Sequence, residues 1–334
     1  MSRQICVTGG AGMIGSRLVR ALLEAGHDVT VIDNLWRGQL NYLTSLDGFD
    51  AGTMFHRIDL SDPENAARTR HVLNGCDSVV HLADIVAGIG YVFNNQYEIF
   101  RVNNLINTHV LRACADTGVP RVLYAGTACS FPKHLQMSLG SVLRESQLFP
   151  AEPESAYGWS KLMGTLELQF MAEQHGITAS TLMLHNVYGP NCDVEPARSQ
   201  VIPSLIRRMI ELEEGATLSV WGSGKQGRAF VHVDDIARAF VSALDCSSDE
   251  LPPVVQIGPG HCTSIRELVE TLRDRVIRKD LLIEYDRSKP EGDIGRCADF
   301  SLAQRVLGWS PQVDLEAGLT ETYNWIEAEL RARI

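Results

Sequence analysis

Tyr157 and Lys161, in the segment Tyr157-Gly158-Trp159-Ser160-Lys161, have the residue types and the spacing of an acid–base site. A helix is predicted over 157–175, and side chains four positions apart share one helix face. A cation beside a phenol favours the phenolate and brings its pKa towards neutrality, and a phenolate can act as a general base on a hydroxyl. Thr127 follows a predicted strand and could hydrogen-bond the same hydroxyl. The alternative is an amphipathic helix with a solvated lysine.

A glycine-rich turn, Thr8-Gly9-Gly10-Ala11-Gly12-Met13-Ile14-Gly15, follows the first predicted strand and opens the first helix. Such a turn lets the backbone approach a pyrophosphate at the positive end of the helix. Asp33 ends the second strand 18 residues after Gly15. An acidic residue there accepts hydrogen bonds from the adenosine ribose and repels a 2′-phosphate, which favours NAD over NADP. Arg37, close by, is the one feature compatible with NADP.

Two further strand ends are candidate cofactor contacts because of their order along the chain. Asp59-Leu60 follows the third predicted strand, where adenine is expected, and Leu82-Ala83 ends the fourth, beside the expected nicotinamide path. Each of them taken alone is compatible with an ordinary strand end.

Strand and helix patterns alternate through the first half of the chain, which predicts a parallel sheet with helices on both faces. The predicted strands cover 4–8, 28–32, 53–57, 78–82, 121–125 and 178–184, and the helices cover 13–25, 63–73, 96–117, 157–175, 201–212, 234–244, 264–275 and 315–332. The predicted fold class is α/β: a Rossmann-type doubly wound parallel sheet with a smaller C-terminal α/β substrate-binding lobe. Residues 1–185 are predicted to form the cofactor domain, with 230–260 returning to it, and 186–334 mainly the lobe.

The net charge of −11 and the isoelectric point of about 5.4 argue against binding to nucleic acid or acidic membranes, which needs clustered cations. No run of 18 apolar residues and no secretory signal pattern are present, so a cytoplasmic location is expected. The eight cysteines form no Cys-x-x-Cys pair and no Cys/His zinc spacing, so no metal site is predicted. Apart from Cys129, they are expected to be small buried hydrophobic residues without a disulfide role.

Six strings occur in an order that identifies a family: TGGAGMIG (8–15), Asp33-Asn34, HLA (81–83), YGWSK (157–161), HNVYGP (185–190) and RAFVHVDDIA (228–237). With them the chain resembles the extended short-chain dehydrogenase/reductases of the nucleotide-sugar epimerase/dehydratase group over nearly its whole length. Within that group, LADIVAGIGYV (82–92), GTACSFP (126–132) and PAEPESAYGWSKL (150–162) are most similar to the GDP-mannose 3,5-epimerases.

The resemblance implies a reaction on a nucleotide-diphospho-sugar with NAD that stays bound. Tyr157 would take the proton of the sugar C4 hydroxyl as hydride passes to the nicotinamide, and Lys161 would hold the ribose and tune Tyr157. Cys129 would then remove hydrogen from C3 or C5 of the 4-keto sugar. The resemblance further implies a homodimer through 96–117 and 157–175, with Leu105, Leu111, Leu162, Leu166 and Phe170 as candidates for the seam. The residues it places near the substrate are Gly88, Asn186, Gln200, Arg228 and Arg296.

Two departures from the family pattern leave the reaction open. The 3,5-epimerases take their second acid from a lysine after the YGP string, but 191–203 contains none; His185, His134 or water could replace it. Gln200 resembles the amide of simpler 4-epimerases, so a C4-epimerase remains an alternative, as does a catalytically silent sugar-nucleotide-binding protein. Ala128-Cys129 stands where 4,6-dehydratases carry Asp-Glu, which argues against dehydration.

Overall fold

A seven-stranded sheet lies at the centre of the computed structural model, which describes residues 2–289 and 292–333. The strands are β1 (Gln4–Thr8), β2 (Asp28–Asp33), β3 (Phe55–Arg57), β4 (Ser78–His81), β5 (Arg121–Thr127), β6 (Val142–Leu143), β7 (Thr178–Leu184), β8 (Asn186–Tyr188), β9 (Thr217–Trp221), β10 (Gly227–Arg228), β11 (Phe230–His232), β12 (Val254–Ile257), β13 (Thr263–Ser264), β14 (Leu282–Asp286) and β15 (Cys297–Ala298). The helices are α1 (Met13–Glu24), α2 (Asn41–Thr44), α3 (Ala51–Met54), α4 (Ala66–Leu73), α5 (Ile89–Asn94), α6 (Gln96–Thr117), α7 (Ala156–His175), α8 (Val201–Glu211), α9 (Val233–Asp245), α10 (Ile265–Thr271), α11 (Ser301–Leu307) and α12 (Leu315–Arg331).

The order of the central sheet is β12-β7-β5-β4-β1-β2-β3, and all its neighbouring strands are parallel. From β1 the chain adds β2 and β3 on one side of the sheet, and it then adds β4, β5, β7 and β12 in turn on the other side. The carboxyl ends of β1 and β4 therefore border a crevice, which is where open α/β sheets bind ligands. The predicted fold class, a doubly wound Rossmann-type sheet, is confirmed.

Alternating apolar side chains of the strands build a core on each face of the sheet. In β1, Ile5 and Val7 join the core beneath α1 and α9, whereas Cys6 joins the core beneath α4, α6 and α7. Successive side chains of a strand point to opposite faces, so burial on both faces needs a continuous apolar run. This accounts for the uninterrupted apolar residues over 5–7 in β1.

The helix that carries the Tyr/Lys pair has well-defined ends. Ser155 precedes α7, and its hydroxyl accepts a hydrogen bond from the Gly158 N–H at 3.3 Å. The helix ends at Gly176, whose φ of 67° is the left-handed conformation that glycine adopts without strain. A side-chain N-cap such as Ser155 stabilises a helix by about 1 kcal/mol. Here it fixes the first turns of α7, which contain Tyr157 and Lys161.

Three predicted elements differ from the structure over two or more of their residues. The helix predicted over 63–73 is α-helical only from Ala66, after a 3₁₀ turn at Pro63–Asn65. The strand predicted over 53–57 begins only at Phe55, because Asp50 caps the short helix Ala51–Met54 by accepting from the Gly52 N–H. The helix predicted over 264–275 is α-helical from Ile265 to Thr271 and continues as a π-helical segment, Leu272–Ile277. Its last turns pack against α8 and α12 in the core of the C-terminal lobe.

One cysteine pair was not predicted. The structure joins Cys262, just before β13, to Cys297 in β15 with a Cα–Cα distance of 5.3 Å. The expectation of no disulfide role is therefore wrong for these two residues, whose contact is set by tertiary packing and carries no sequence spacing. Among the described residues, no helix has both the length and the apolar character that crossing a bilayer requires.

Candidate active site

The glycine turn after β1 forms a cradle that side chains would fill. A Cβ atom at Gly9, whose φ is 71°, would lie 2.8 Å from the backbone nitrogen of Ala83, and one at Gly15 would lie 2.2 Å from the carbonyl oxygen of Gly9. Because these glycines have no side chain, the segment after β4 can approach the turn closely. The N-terminus of α1, at Met13, directly follows the same turn. The pyrophosphate of a dinucleotide fits this arrangement.

Asp33 lies at the end of β2 beside this cradle, as predicted. Its carboxylate accepts hydrogen bonds from the backbone N–H groups of Ala11 at 3.0 Å and Leu35 at 2.7 Å. Burial raises the pKa of Asp33, although these two bonds act in the opposite direction. The carboxylate is thereby fixed where a ribose would meet the sheet.

Arg37 has two of its guanidinium nitrogens engaged by neighbouring residues. Its Nη1 donates to the Val86 carbonyl at 2.6 Å, and its Nε lies 3.3 Å from the buried Asp193 carboxylate. A guanidinium held in this way is less available to a 2′-phosphate, which favours NAD over NADP.

The remaining predicted cofactor residues line the same edge of the sheet. Although partial burial opposes it, hydrogen bonds from Ser61 and Asn34 lower the pKa of the Asp59 carboxyl. Leu60 is buried. The backbone N–H groups of Leu82 and Ala83 donate to the Thr8 hydroxyl at 3.2 and 3.3 Å.

The structure brings Tyr157, Thr127 and Cys129 together. Thr127 ends β5, and its hydroxyl accepts a hydrogen bond from the Cys129 N–H at 3.2 Å. The same hydroxyl lies close enough to the Tyr157 phenol to act on its pKa, in the direction that opposes burial. A Cβ at Gly158 would lie 2.3 Å from the Cys129 carbonyl oxygen, so α7 packs closely against the segment after β5. A phenol, a hydroxyl and a thiol therefore converge at the carboxyl end of the sheet.

Lys161 makes an ion pair that the sequence analysis missed. Its ammonium lies 2.6 Å from the Asp84 carboxylate, and only 2% and 7% of the two side chains are exposed. The ammonium also lies 4.4 Å from the centre of the Tyr124 ring. Although burial acts against it, the charge of Asp84 raises the pKa of Lys161, so the lysine is a permanent cation.

This pair changes the electrostatics expected for Tyr157. The lysine was predicted to favour the phenolate, but burial, followed by the charge of Asp84, raises the pKa of Tyr157 well above its ordinary value. Burial and the charge of Asp84 therefore act against the phenolate, in the opposite direction to the effect that the sequence predicts for Lys161.

Cys129 lies against a buried guanidinium. The Nη1 atom of Arg296 is 2.8 Å from the Cys129 sulfur, and a neighbouring cation is what stabilises a reactive thiolate. The other faces of Arg296 are occupied: its Nε donates to the Gln136 side chain, its Nη2 pairs with Asp293, and Glu154 lies 4.0 Å from Nη2. Arg296 was predicted to lie near the substrate, and in the structure its guanidinium contacts the Cys129 sulfur.

Gly88 and Gln200 lie on segments that contact each other. Gly88 donates its N–H to the Arg198 carbonyl at 2.8 Å, and a Cβ there would lie 2.3 Å from the Ser199 carbonyl oxygen. Gln200 immediately precedes α8. This approach ties the loop over 82–92 to the segment that leads into α8.

Arg228 and Asn186 belong to short strands beyond the central sheet. Asn186 begins β8, which pairs with β11. Arg228 ends β10 and donates to the carbonyls of Gly227 and Asp293, each at 2.7 Å. Burial, followed by the charge of Arg296, lowers the pKa of Arg228 to about 10.

Four polar residues of this site were missed by the sequence analysis: Asp84, Gln136, Glu154 and Asp293. Asp84 had a usable signal, since it directly follows Leu82-Ala83 at the end of a central strand. Glu154 also had one, because it lies three residues before Tyr157. Asp293 gave no local signal, as it reaches the site only through the folding of the C-terminal lobe.

Known proteins are similar to this chain in sequence and in fold over nearly its whole length. The model of the NAD dependent epimerase/dehydratase family matches residues 5–258. GDP-mannose 3,5-epimerase of Arabidopsis thaliana is 30% identical, covering 98% of this chain and 83% of its own length, and GDP-L-fucose synthase of Escherichia coli is 31% identical, covering 97% of each. The structure of UDP-glucose 4-epimerase of Thermotoga maritima, solved with UDP-glucose, matches 98% of this chain and 99% of its own with a TM-score of 0.83 and 26% identity. The structure of UDP-glucose 4-epimerase of Thermus thermophilus, solved with NAD, matches 97% of this chain and 99% of its own with a TM-score of 0.80 and 26% identity.

NAD is the cofactor that both the cradle and these comparisons support, so the purified protein is expected to carry it. Nucleotide released by denaturation and separated by chromatography should be predominantly NAD, and Asp33→Ala should release much less. A preparation that releases mainly NADP would show that Asp33 has been misinterpreted.

Proposed function

Because this chain belongs to the NAD-dependent epimerase/dehydratase family, we propose that it epimerises a nucleotide-diphospho-sugar at C5, C3 or both, through a transient 4-keto sugar. When bound, NAD would supply the hydride acceptor and donor for C4 and a positively charged oxidised ring. Tyr157 accepts the proton of the C4 hydroxyl, and the Thr127 hydroxyl orients both oxygens. Lys161, fixed by Asp84, supplies hydrogen-bond donors beside them.

The observation that carries the choice of carbon is the contact between Cys129 and Arg296. A C4 ketone acidifies the hydrogens on C3 and C5, and a thiolate held by a guanidinium is a suitable base for removing one of them. An epimerase acting at C4 alone has no use for a base at this position. The 30% identity with a GDP-mannose 3,5-epimerase supports the same proposal.

A C4-epimerase is the second candidate, supported by the likeness to UDP-glucose 4-epimerases over nearly the full chain. In that reaction the keto sugar would rotate in the site to present its other face to the nicotinamide, and Cys129 would take no part. A catalytically silent binding protein is a weaker candidate, because Tyr157, Lys161 and Thr127 are all present in the chain.

Solvent deuterium separates these candidates. The NAD-loaded enzyme is incubated in D₂O with GDP-mannose and, in parallel, with UDP-glucose, and the sugars are analysed by NMR and mass spectrometry. The proposal predicts carbon-bound deuterium at C3 or C5. A product inverted at C4 without deuterium would establish the C4-epimerase, and no conversion of either sugar nucleotide would favour the silent protein.

We further propose that the protein is a homodimer that pairs α6 and α7 of two copies. These helices pack against each other within one chain, and three aromatic side chains on their outer surface are exposed: Tyr97 by 78%, Phe100 by 39% and Phe170 by 64%. Two residues predicted for the seam, Leu111 and Leu162, are instead buried within the chain. That part of the prediction is wrong, because these side chains face the chain's own core.

Light scattering on a sizing column tests the assembly. The wild-type protein is expected to have the mass of a dimer at micromolar concentration, and Phe170→Glu to shift it towards a monomer, since a buried unpaired charge is costly. A wild-type monomer at that concentration would contradict the proposal.

A further inference from the structure

Inversion at a carbon beside a ketone needs two groups, one that takes the proton from one face and one that returns a proton to the other. Neither histidine considered from the sequence fits the second task. His185 is buried and bonded to Gln256, and burial lowers its pKa to about 4, so it is not protonated near neutral pH. His134 is exposed and pairs with the surface residue Glu152 at 2.8 Å.

A pair of carboxyl groups lies beside the proposed base, at one nitrogen of Arg296. Asp293 pairs with Nη2 of Arg296, Glu154 lies 4.0 Å from the same nitrogen, and Nη1 contacts the Cys129 sulfur. Two carboxylates this close repel each other, which favours a proton on one of them. Burial, followed by the charge of Asp293, raises the pKa of Glu154, although Arg296 and Arg228 act in the opposite direction. Glu154 therefore keeps its proton to a higher pH than an exposed glutamate does.

Glu154 also lies where the sugar would be held. It stands three residues before Tyr157, directly before the Ser155 cap of α7. A Cβ built on Gly292, next to Asp293, would lie 3.9 Å from the Glu154 carboxyl and 3.2 Å from Ile89 in the loop over 82–92. The carboxyl pair thus lies next to that loop and to the start of α7.

We propose that Glu154, next to Asp293, is the acid that works opposite Cys129. The inference rests on the proposed function at C3 or C5. In the first step the C–H bond breaks, its hydrogen forms an S–H bond with the Cys129 thiolate, and the electron pair moves into the enolate of the 4-keto sugar. In the second step the O–H bond of Glu154 breaks, its proton forms the new C–H bond on the other face, and a carboxylate remains. Exchange with solvent restores both groups.

Arg296 couples the two steps. It touches the Cys129 sulfur with Nη1 and the carboxyl pair with Nη2. When the thiolate takes up a proton, the guanidinium loses one of its negative partners. Its charge then acts more fully on the carboxyl pair, which makes the proton of Glu154 easier to release. Protonation of the base therefore prepares the acid.

The test measures exchange and inversion separately. NAD-loaded wild-type enzyme, Glu154→Gln and Cys129→Ser are each incubated with GDP-mannose in D₂O, and deuterium is measured both in recovered GDP-mannose and in the inverted product. Glu154→Gln should form inverted product about 10²-fold more slowly, the usual effect of losing a placed acid, and should still exchange deuterium into recovered substrate. Cys129→Ser should lose that exchange.

Glu152→Gln is the matched control, because Glu152 lies two residues earlier on the surface, and its rates should equal those of the wild type. Glu154→Asp keeps a carboxyl group and should invert faster than Glu154→Gln, which separates an acid role from a folding defect. Equal inversion by Glu154→Gln and wild type would overturn the role of Glu154, as would an equal loss of exchange and inversion in that variant. If wild-type enzyme incorporates no deuterium, the proposed function itself fails, and the role of Glu154 fails with it.

Discussion

Replacing Tyr157 by phenylalanine is expected to abolish turnover, with a fall in kcat of about 10³-fold, within the range for a lost general base. The substitution removes only the phenol oxygen, which lies beside Thr127 and in the proposed reaction receives the C4 hydroxyl proton. Oxidation at C4 precedes every later step, so the transient NADH absorbance at 340 nm should disappear together with product. Rapid-mixing absorbance and product NMR measure the two effects.

Tyr323→Phe is the control for this substitution. Tyr323 lies on α12, where its hydroxyl donates to Glu327 at 3.0 Å, so its oxygen can be removed without touching the site. Both variants should retain bound NAD and a thermal midpoint close to that of the wild type. Transient NADH formed by Tyr157→Phe at the wild-type rate would show that another group accepts the proton.

Replacing Cys129 by serine is expected to separate the oxidation from the carbon–hydrogen chemistry. Serine preserves the shape of the thiol and can still accept a hydrogen bond from Arg296, but its hydroxyl is a much weaker acid and does not form the oxyanion near neutral pH. Deuterium exchange at C3 and C5 should fall by about 10²-fold or more. Transient NADH should still form, because Tyr157 and Lys161 are intact.

Cys246→Ser is the matched control, since Cys246 lies just after α9 and its thiol contacts only the Val306 carbonyl among the described hydrogen bonds. It should exchange deuterium at the wild-type rate. The same rate in Cys129→Ser would contradict the C3/C5 mechanism and would leave the C4-epimerase as the better proposal.

The fold was predictable because its signals are local. The glycine turn after β1, the alternation of strands and helices and the Ser155 cap of α7 all depend on residues close together in the chain. The errors also have local causes. At 53–57 the capping residue Asp50 starts a short helix where the sequence has a strand pattern. After Thr271 the helix changes from α-helical to π-helical, and the apolar pattern does not show this change.

The site was predictable only where function imposes a motif. Tyr157 and Lys161 are four residues apart, so one helix fixes their relation. The contact between Cys129 and Arg296 spans 167 residues, and the partner of Lys161 comes from a different strand end. Contacts of this kind form only when the folded chain brings distant residues together, so a short window of sequence carries no signal for them.

The position of β12 has a consequence for the way this protein can be made. Residues 254–257 supply the edge strand beside β7, so a nascent chain cannot close its central sheet until that segment has left the ribosome. A recombinant fragment that stops at residue 185 would leave the β7 edge unpaired, with backbone donors and acceptors free to recruit another molecule. The fragment 1–185 is therefore expected to precipitate when expressed alone, and dissection of the protein is better done by point substitution than by truncation.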